Sequence, residues 1–136
     1  MIVPGGVLFD LDGVIFQGDR LIPGAEGVIH KLQIAKIPYR FITNTTRMTK
    51  NNLINMLSKM GFSVNPEEIF AAPHAAAEYC KLKRYKNISL IVPDEEMKED
   101  FSTFQFVDEN PEAIVMGDMG KLFTFELLNH LFLNII

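Results

Sequence analysis

An α/β fold organised around a parallel sheet is expected from three features of this chain. Short apolar runs alternate with longer stretches of helical periodicity, the first run closes in two carboxylates one residue apart, and the second closes in a cluster of threonine and asparagine. Strands that alternate with helices need crossover connections and therefore pair in parallel, and in open sheets of this kind ligands sit beyond the carboxyl ends of the strands.

The opening element is Val7-Leu8-Phe9-Asp10-Leu11-Asp12-Gly13-Val14. Three successive apolar residues read as a short strand buried on both faces. Two acids crowded at its end need a cation or a shared proton. Hard oxygen ligands suit Mg²⁺, and a metal also leaves one carboxylate ionised and able to act as a nucleophile. Asp-x-Asp-Gly is equally ordinary turn chemistry, and that alternative stands beside the first.

Pro23-Gly24 marks a turn, after which Val28, Ile29, Leu32 and Ile34 or Ala35 give residues 25–36 helical spacing. Residues 37–42 form the second strand, which ends in Thr43-Asn44-Thr45-Thr46. A helix follows from about Thr49, with Leu53, Ile54, Leu57 and Met60 as its apolar stripe and Gly61 as its stop. Such βαβα order puts helices on the faces of the sheet. Asn65-Pro66-Glu67-Glu68 is a helix-start signal, residues 73–83 read as an alanine-rich helix, and 88–92 as a strand. Asp94-Glu95-Glu96 caps a short acidic helix, 113–116 is a further strand, and Thr124 caps a last helix from Phe125 to the end. Length alone gives one domain, and the only internal boundary lies around residues 71–73.

Composition narrows the function. With 48% apolar residues the 136-residue chain can bury a core, and a net charge of −4 without basic runs argues against nucleic acid or an anionic membrane surface. A small-molecule partner is expected. One cysteine, Cys80, fits a reducing compartment, no apolar run nears the roughly 18 residues of a membrane span, and the first strand begins too early for a signal peptide. A soluble cytoplasmic protein is the resulting expectation.

A hydroxyl, backbone N–H groups at a strand end and an adjacent helix start are what holds a phosphoryl group, so the segment from Phe41 to Arg47 together with Asp10 and Asp12 suggests phosphoryl transfer. Thr46 or Thr49 merely capping the next helix is the alternative for that segment. Competing motifs fail on spacing. An EF-hand loop needs glycine where Ile15 stands, neither glycine-rich stretch supplies a P-loop, and a nicotinamide fingerprint needs glycines where Asp10 and Asp12 stand.

Asp10-Leu11-Asp12-Gly13-Val14, Ile22-Pro23-Gly24-Ala25 and Phe41-Ile42-Thr43-Asn44-Thr45-Thr46-Arg47 resemble the first two motifs of the haloacid dehalogenase superfamily. Glu68-Ile69-Phe70 with the alanine-rich segment, and Ala113-Ile114-Val115-Met116-Gly117 with the apolar segment after it, resemble the subgroup that carries a large α/β cap. Within it the chain is most similar to pyrophosphate and phospho-amino-acid phosphatases. The resemblance implies a Rossmann-like parallel core over residues 1–72 and the beginning of an incomplete α/β cap over 73–136. It implies that Asp10 is the nucleophile and a Mg²⁺ ligand, that Asp12 is the general acid and base with its backbone carbonyl on the metal, and that Gly13 permits the tight turn. Thr43, with the Asn44 backbone N–H, would hold the phosphoryl oxygens, and Thr45 and Arg47 would extend that set. For Arg47 a solvated charge at a helix start is an equal alternative.

Members of the family continue with a phosphate-binding lysine and a further acidic pair that completes the Mg²⁺ site, and neither is found in these 136 residues. Gly117-Asp118 imitates that acidic motif but lacks its second acid and reads as a cap loop, with Asp118 and Lys121 the substitutes to consider. The nucleophile strand, central in the family sheet, would become an edge here and invite pairing with a second copy, a homo-oligomer through the exposed core edge. His30 and His130 read as helix-surface histidines and His74 as a capping or solvated one. The leading function is thus a Mg²⁺-dependent phosphatase acting on a small phosphorylated metabolite, pyrophosphate or phospho-amino acid. The alternative is a catalytically incompetent protein of the same fold that binds phosphate or a partner chain. An aspartate-phosphorylated receiver domain is disfavoured, because no acid follows residues 37–42 to act as acceptor.

Overall fold

The computed structural model describes residues 4–135. The chain divides into two compact units, one holding the residues up to Asn44 together with Lys50–Ala71, the other holding Thr45–Thr49 together with the residues from Ala72 onward.

The first unit is a three-stranded parallel sheet. Strand β1 is Val7–Asp10, and after a short hairpin of β2 (Phe16–Gln17) and β3 (Arg20–Leu21) come helix α1 (Ala25–Ile34), β4 (Tyr39–Thr43), α2 (Lys50–Lys59) and β5 (Ile69–Ala71). Sheet order is β1-β4-β5, with Val7 opposite Tyr39, Asp10 opposite Ile42 and Thr43 opposite Ala71. Both crossovers step in the same direction, and right-handed crossovers of that kind lay both helices on one face. That face is the core. Phe41 and Ile69 are buried in it with Leu53 and Leu57 of α2 and Ile29 of α1, whereas the other face leaves Leu8 67% and Phe70 45% exposed. A strand covered on both faces, and helices on both faces, were the sequence expectations for this sheet. The described residues cover one face only, because nothing among them steps the other way. Among the same residues β1 pairs with β4 alone and is an edge.

The core face is knit by aromatic and polar contacts. Phe41 meets the rings of Phe9, Tyr39 and Phe62 at centroid distances of 6.2, 5.5 and 5.6 Å. Gln33 Nε2 donates to the Tyr39 hydroxyl at 2.9 Å and that hydroxyl donates to Glu68 Oε1 at 2.8 Å, so α1, β4 and the turn before β5 share one network. Burial, and then the Glu68 carboxylate, push the Tyr39 phenol above its ordinary value.

Sequence and structure part company where elements are short. Asn65-Pro66 opens only one turn of 3₁₀ helix, Pro66–Glu68, where Glu68 Oε2 accepts the Asn65 amide at 2.8 Å. The β-favouring Ile69-Phe70 then joins β4 as a strand, a tertiary pairing that overrides the helix start. Helix α1 stops at Ile34 rather than at Lys36, because Lys36 turns left-handed with φ of 54° while its amide and that of Ile37 close onto Gln33 and Leu32. Lysine pays a steric cost there that glycine does not. Lys36→Gly is therefore expected to raise stability by about 1 kcal/mol, read as a higher melting temperature by circular dichroism.

In the second unit, helix α3 (Ala72–Leu82) leads into a parallel sheet of order β7-β6-β8, with β6 Asn87–Ile91, β7 Gln105–Phe106 and β8 Ala113–Met116, and the last helix is α4 (Phe125–Leu133). Ala77, Cys80, Ile88, Phe101 and Phe104 form its core cluster. Asp94 does cap the acidic segment, accepting the Glu96 amide at 3.1 Å, and the segment is a seven-residue 3₁₀ helix, Glu95–Phe101. Thr124 caps α4 by accepting the Leu127 amide at 3.1 Å, and the helix ends at Leu133, not at the last residue, which lies outside the described ones. α4 buries Leu131 but leaves Phe125, Leu128 and Phe132 exposed. Among the described residues no helix is long and apolar enough to cross a membrane.

Glu112 ties β8 to the start of β6, accepting the amides of Lys86 at 2.6 Å and Asn87 at 2.8 Å. The Asn87 bond, then the Lys86 bond, hold its carboxyl below the ordinary glutamate value. A folded pKa below the unfolded one gives stability that is complete above the unfolded value and is lost as pH falls through the folded one. The melting temperature should therefore drop on acidification below the ordinary glutamate range, and Glu112→Gln should flatten that part of the profile.

Candidate active site

Asp10 is the last residue of β1, and Thr43 is the last residue of β4, the neighbouring strand. Because Asp10 stands opposite Ile42, the register puts Asp10 and Thr43 at the carboxyl ends of adjacent parallel strands, whose axes in such sheets lie about 4.8 Å apart. The Asp10 side chain belongs to the exposed face, and its Oδ1 accepts the Leu11 amide at 2.8 Å, a bond that fixes the orientation of the carboxylate.

A tight turn carries Asp12. Leu11 is fully buried, and its carbonyl accepts the amides of Val14, Ile15 and Phe16 at 3.3, 2.9 and 3.1 Å, while the Gly13 amide donates to the Phe16 carbonyl at 2.7 Å. Gly13 has φ of 78°, a conformation that side chains other than glycine adopt at a cost of about 1–2 kcal/mol. With Leu11 and Ile15 as buried anchors on either side, Asp12 is held out into solvent two residues beyond Asp10. The hairpin of β2 and β3, turning at Gly18-Asp19, follows directly; each of its strands has two residues, too few for periodicity to reveal.

Asn44 follows Thr43 in the same unit and is exposed. Thr45 and Arg47, expected beside them, group with the second unit, where Arg47 Nε donates to Asp118 Oδ2 at 2.9 Å. The structure thus brings Asp10, Asp12, Thr43 and Asn44 together within one unit. Thr46 does something the sequence did not indicate: its Oγ1 accepts the Asp118 amide at 2.9 Å, and it lines a cavity of about 160 Å³ with Val92, Val115, Met116 and Gly117. The partner lies 72 positions along the chain, so no local pattern points to it. Asp118 is the loop residue expected from its context. Its Oδ2 serves Arg47 and its Oδ1 accepts the Gly120 amide at 2.8 Å, so both oxygens are committed within the protein; Lys121 is exposed in the 3₁₀ turn Gly120–Leu122. His30 and His130 lie exposed on α1 and α4, and His74 half-buried on α3.

As a donor set for a divalent cation, Asp10 and Asp12 fit Mg²⁺, which characteristically takes one or two carboxylates and completes its shell with water and substrate phosphate. No group of three or more histidine, cysteine, aspartate or glutamate side chains that could hold a metal occurs among the described residues.

The pattern of the haloacid dehalogenase-like hydrolase family matches residues 7–107. Haloacid dehalogenase-like hydrolase domain-containing protein 2 of Rattus norvegicus is 34% identical over 126 residues, covering 93% of this chain and 47% of that protein. Phospholysine phosphohistidine inorganic pyrophosphate phosphatase of Danio rerio is 30% identical over 132 residues, with the same 93% and 47% coverage. Among solved structures, 4-nitrophenylphosphatase from Thermotoga maritima superimposes with a TM-score of 0.81 at 25% identity, covering 93% of this chain and 49% of that one. The chain spans about half the length of the curated relatives it matches. An aspartate pair at the end of the first strand, a threonine at the end of its parallel neighbour and a family pattern over most of the chain lead to one assignment: this protein belongs to the haloacid dehalogenase-like hydrolases.

Proposed function

We infer that the chain carries the nucleophile side of a Mg²⁺-dependent phosphatase site acting on a small phosphorylated metabolite, pyrophosphate or a phospho-amino acid. The observation that carries this reading is the placement of Asp10 and Thr43 at the carboxyl ends of adjacent strands, with Asp12 on the turn just beyond. The printed names of the pyrophosphate phosphatase and the 4-nitrophenylphosphatase support it as the chemistry of related chains.

In this mechanism an Asp10 carboxylate oxygen attacks phosphorus in line, forming an aspartyl-phosphate as the bond to the leaving oxygen breaks. Asp12, protonated, gives its proton to that oxygen; as a carboxylate it then takes a proton from water, which attacks the aspartyl-phosphate, releases inorganic phosphate and regenerates Asp10. The Thr43 hydroxyl and the Asn44 amide donate to the phosphoryl oxygens where charge develops. Thr45 and Arg47 are the further candidates for phosphate contact that the resemblance implies, and they group with the second unit, where Arg47 donates to Asp118. Asp10 and the Asp12 carbonyl would hold Mg²⁺, which when bound supplies charge neutralisation at the phosphoryl group.

The test is phosphate release from p-nitrophenyl phosphate and pyrophosphate by the 136-residue chain, with and without Mg²⁺. Release that depends on the metal and on Asp10 supports the reading. No release, with inorganic phosphate still shifting the Thr43 and Asn44 resonances, would support instead a protein that binds phosphate without turnover.

A further inference from the structure

The cavity of about 160 Å³ that Thr46 lines lies wholly within the second unit. β6 ends at Ile91 and β8 at Met116, residues that stand opposite each other in the parallel register, and the next residues along, Val92 and Gly117, both line the cavity. It therefore sits at the carboxyl ends of two adjacent parallel strands. The sheet order β7-β6-β8 places the strands that follow β6 on its two sides, first β7 and then β8. In open parallel sheets such a reversal leaves a crevice at the strand ends, and crevices of that kind are where ligands bind.

The other walls come from neighbouring elements of the same unit. Ala72, Pro73 and Ala76 bring the first turns of α3 to the cavity, and their side chains are small enough to leave room. Met97 and Phe101, from the 3₁₀ segment after β6, are each 1% exposed, whereas Met116 is 50% exposed. A thioether chain with three rotatable bonds adapts to what it meets. A Cβ at Gly117 would stand 3.2 Å from the Thr46 carbonyl oxygen and 3.6 Å from a Val92 methyl, so glycine there keeps the space between two lining residues clear. Among the described residues no charged side chain lines the cavity, and its one side-chain hydroxyl, that of Thr46, accepts the Asp118 amide at 2.9 Å. An ionised group would lose its water against these walls without gaining a partner, whereas a hydrocarbon group gains by leaving water. Size narrows the occupant further, since an apolar cavity of about 150 Å³ holds one benzene ring.

We propose that this cavity is a binding site for a compact uncharged hydrocarbon group, a single aromatic ring in size, carried by a small molecule. The site belongs to the second unit alone and stands whether or not the phosphatase reading does.

The experiment is titration of the 136-residue chain with benzene, followed by the methionine methyl and backbone amide resonances. Saturable shifts of the Met97 and Met116 methyls and of the Gly117 amide are expected, with Met56 and Met60 of the first unit unmoved. Ala76→Leu puts three further carbons into the cavity and should weaken benzene binding by roughly tenfold or more, since a single methylene already counts for that much in a hydrophobic pocket. Ala75→Leu makes the same change at a neighbouring position of α3 that does not line the cavity, and should leave binding as it is. Val92→Ala enlarges the cavity and should move its preference from benzene toward p-xylene by a similar factor, which a ring held loosely on any apolar surface would not show. Because Val92 is half-buried in the loop after β6, that variant decides the matter even where Ala76→Leu does not fold. Shifts that never saturate, shifts of equal size in both units, or benzene binding that neither Ala76→Leu nor Val92→Ala alters would overturn the proposal.

Discussion

Asp10→Asn is expected to reduce Mg²⁺-dependent phosphate release by roughly 10³-fold or more while leaving the melting temperature essentially unchanged. The carboxamide matches the carboxylate in shape, and its oxygen can still accept the Leu11 amide that orients the group. Asp10 is exposed, so the exchange leaves no cavity. What the proposed mechanism loses is its anionic nucleophile, and with it a ligand for Mg²⁺. Asp12→Asn separates the second role. Losing the proton donor should cost about 10²–10⁴-fold on a substrate with a poor leaving group, and much less on p-nitrophenyl phosphate, whose nitrophenolate departs as a stable anion. Steady-state phosphate release on the two substrates, with denaturation curves run alongside, reads both outcomes. Equal losses on the two substrates would remove Asp12 from the leaving-group step.

How much of this was legible beforehand depended on whether the signal was local. The Asp10 and Asp12 pair, the Thr43-Asn44 strand end and the β6 and β8 cores are contiguous runs, and periodicity with strand-end chemistry located them. The capping residues Asp94 and Thr124 were equally readable, because a cap acts on amides two or three residues away. Strands β2, β3, β5 and β7 have two or three residues each and exist because a neighbour pairs with them, which no window of sequence contains. The same holds for the link from Arg47 to Asp118, formed across 71 positions between residues that read separately as a phosphate contact or helix-start charge and as a cap-loop acid. Coverage of the sheet was misjudged for a related reason: Val7, Leu8 and Phe9 are all apolar, yet the one-way stepping of the crossovers leaves Leu8 on the bare face.

Phe41→Ala should be the most damaging change made away from the catalytic groups, at about 3–5 kcal/mol, the usual range for truncating a buried aromatic. Phe41 is fully buried, lies on the central strand of its sheet and meets the rings of Phe9, Tyr39 and Phe62 at centroid distances of 5.5 to 6.2 Å, so three aromatic side chains lose their common contact at once. Domains are stable by only about 5–15 kcal/mol in total, so the loss removes much of the margin. Urea denaturation should show a lower midpoint with an unchanged slope. Amide exchange should locate the loss in β1, β4 and β5, while β6 and β8, built on the separate cluster around Ile88 and Phe101, keep their protection. Equal loss in both units would show that they unfold as one. Thr43 follows Phe41 by two residues, so loosening β4 also loosens the adjacency of Thr43 to Asp10. Phosphate release should therefore fall in Phe41→Ala with no reacting atom altered, and cooling or a stabilising change such as Lys36→Gly should restore part of it. Neither should rescue Asp10→Asn, where the fold is intact and the proposed nucleophile is missing.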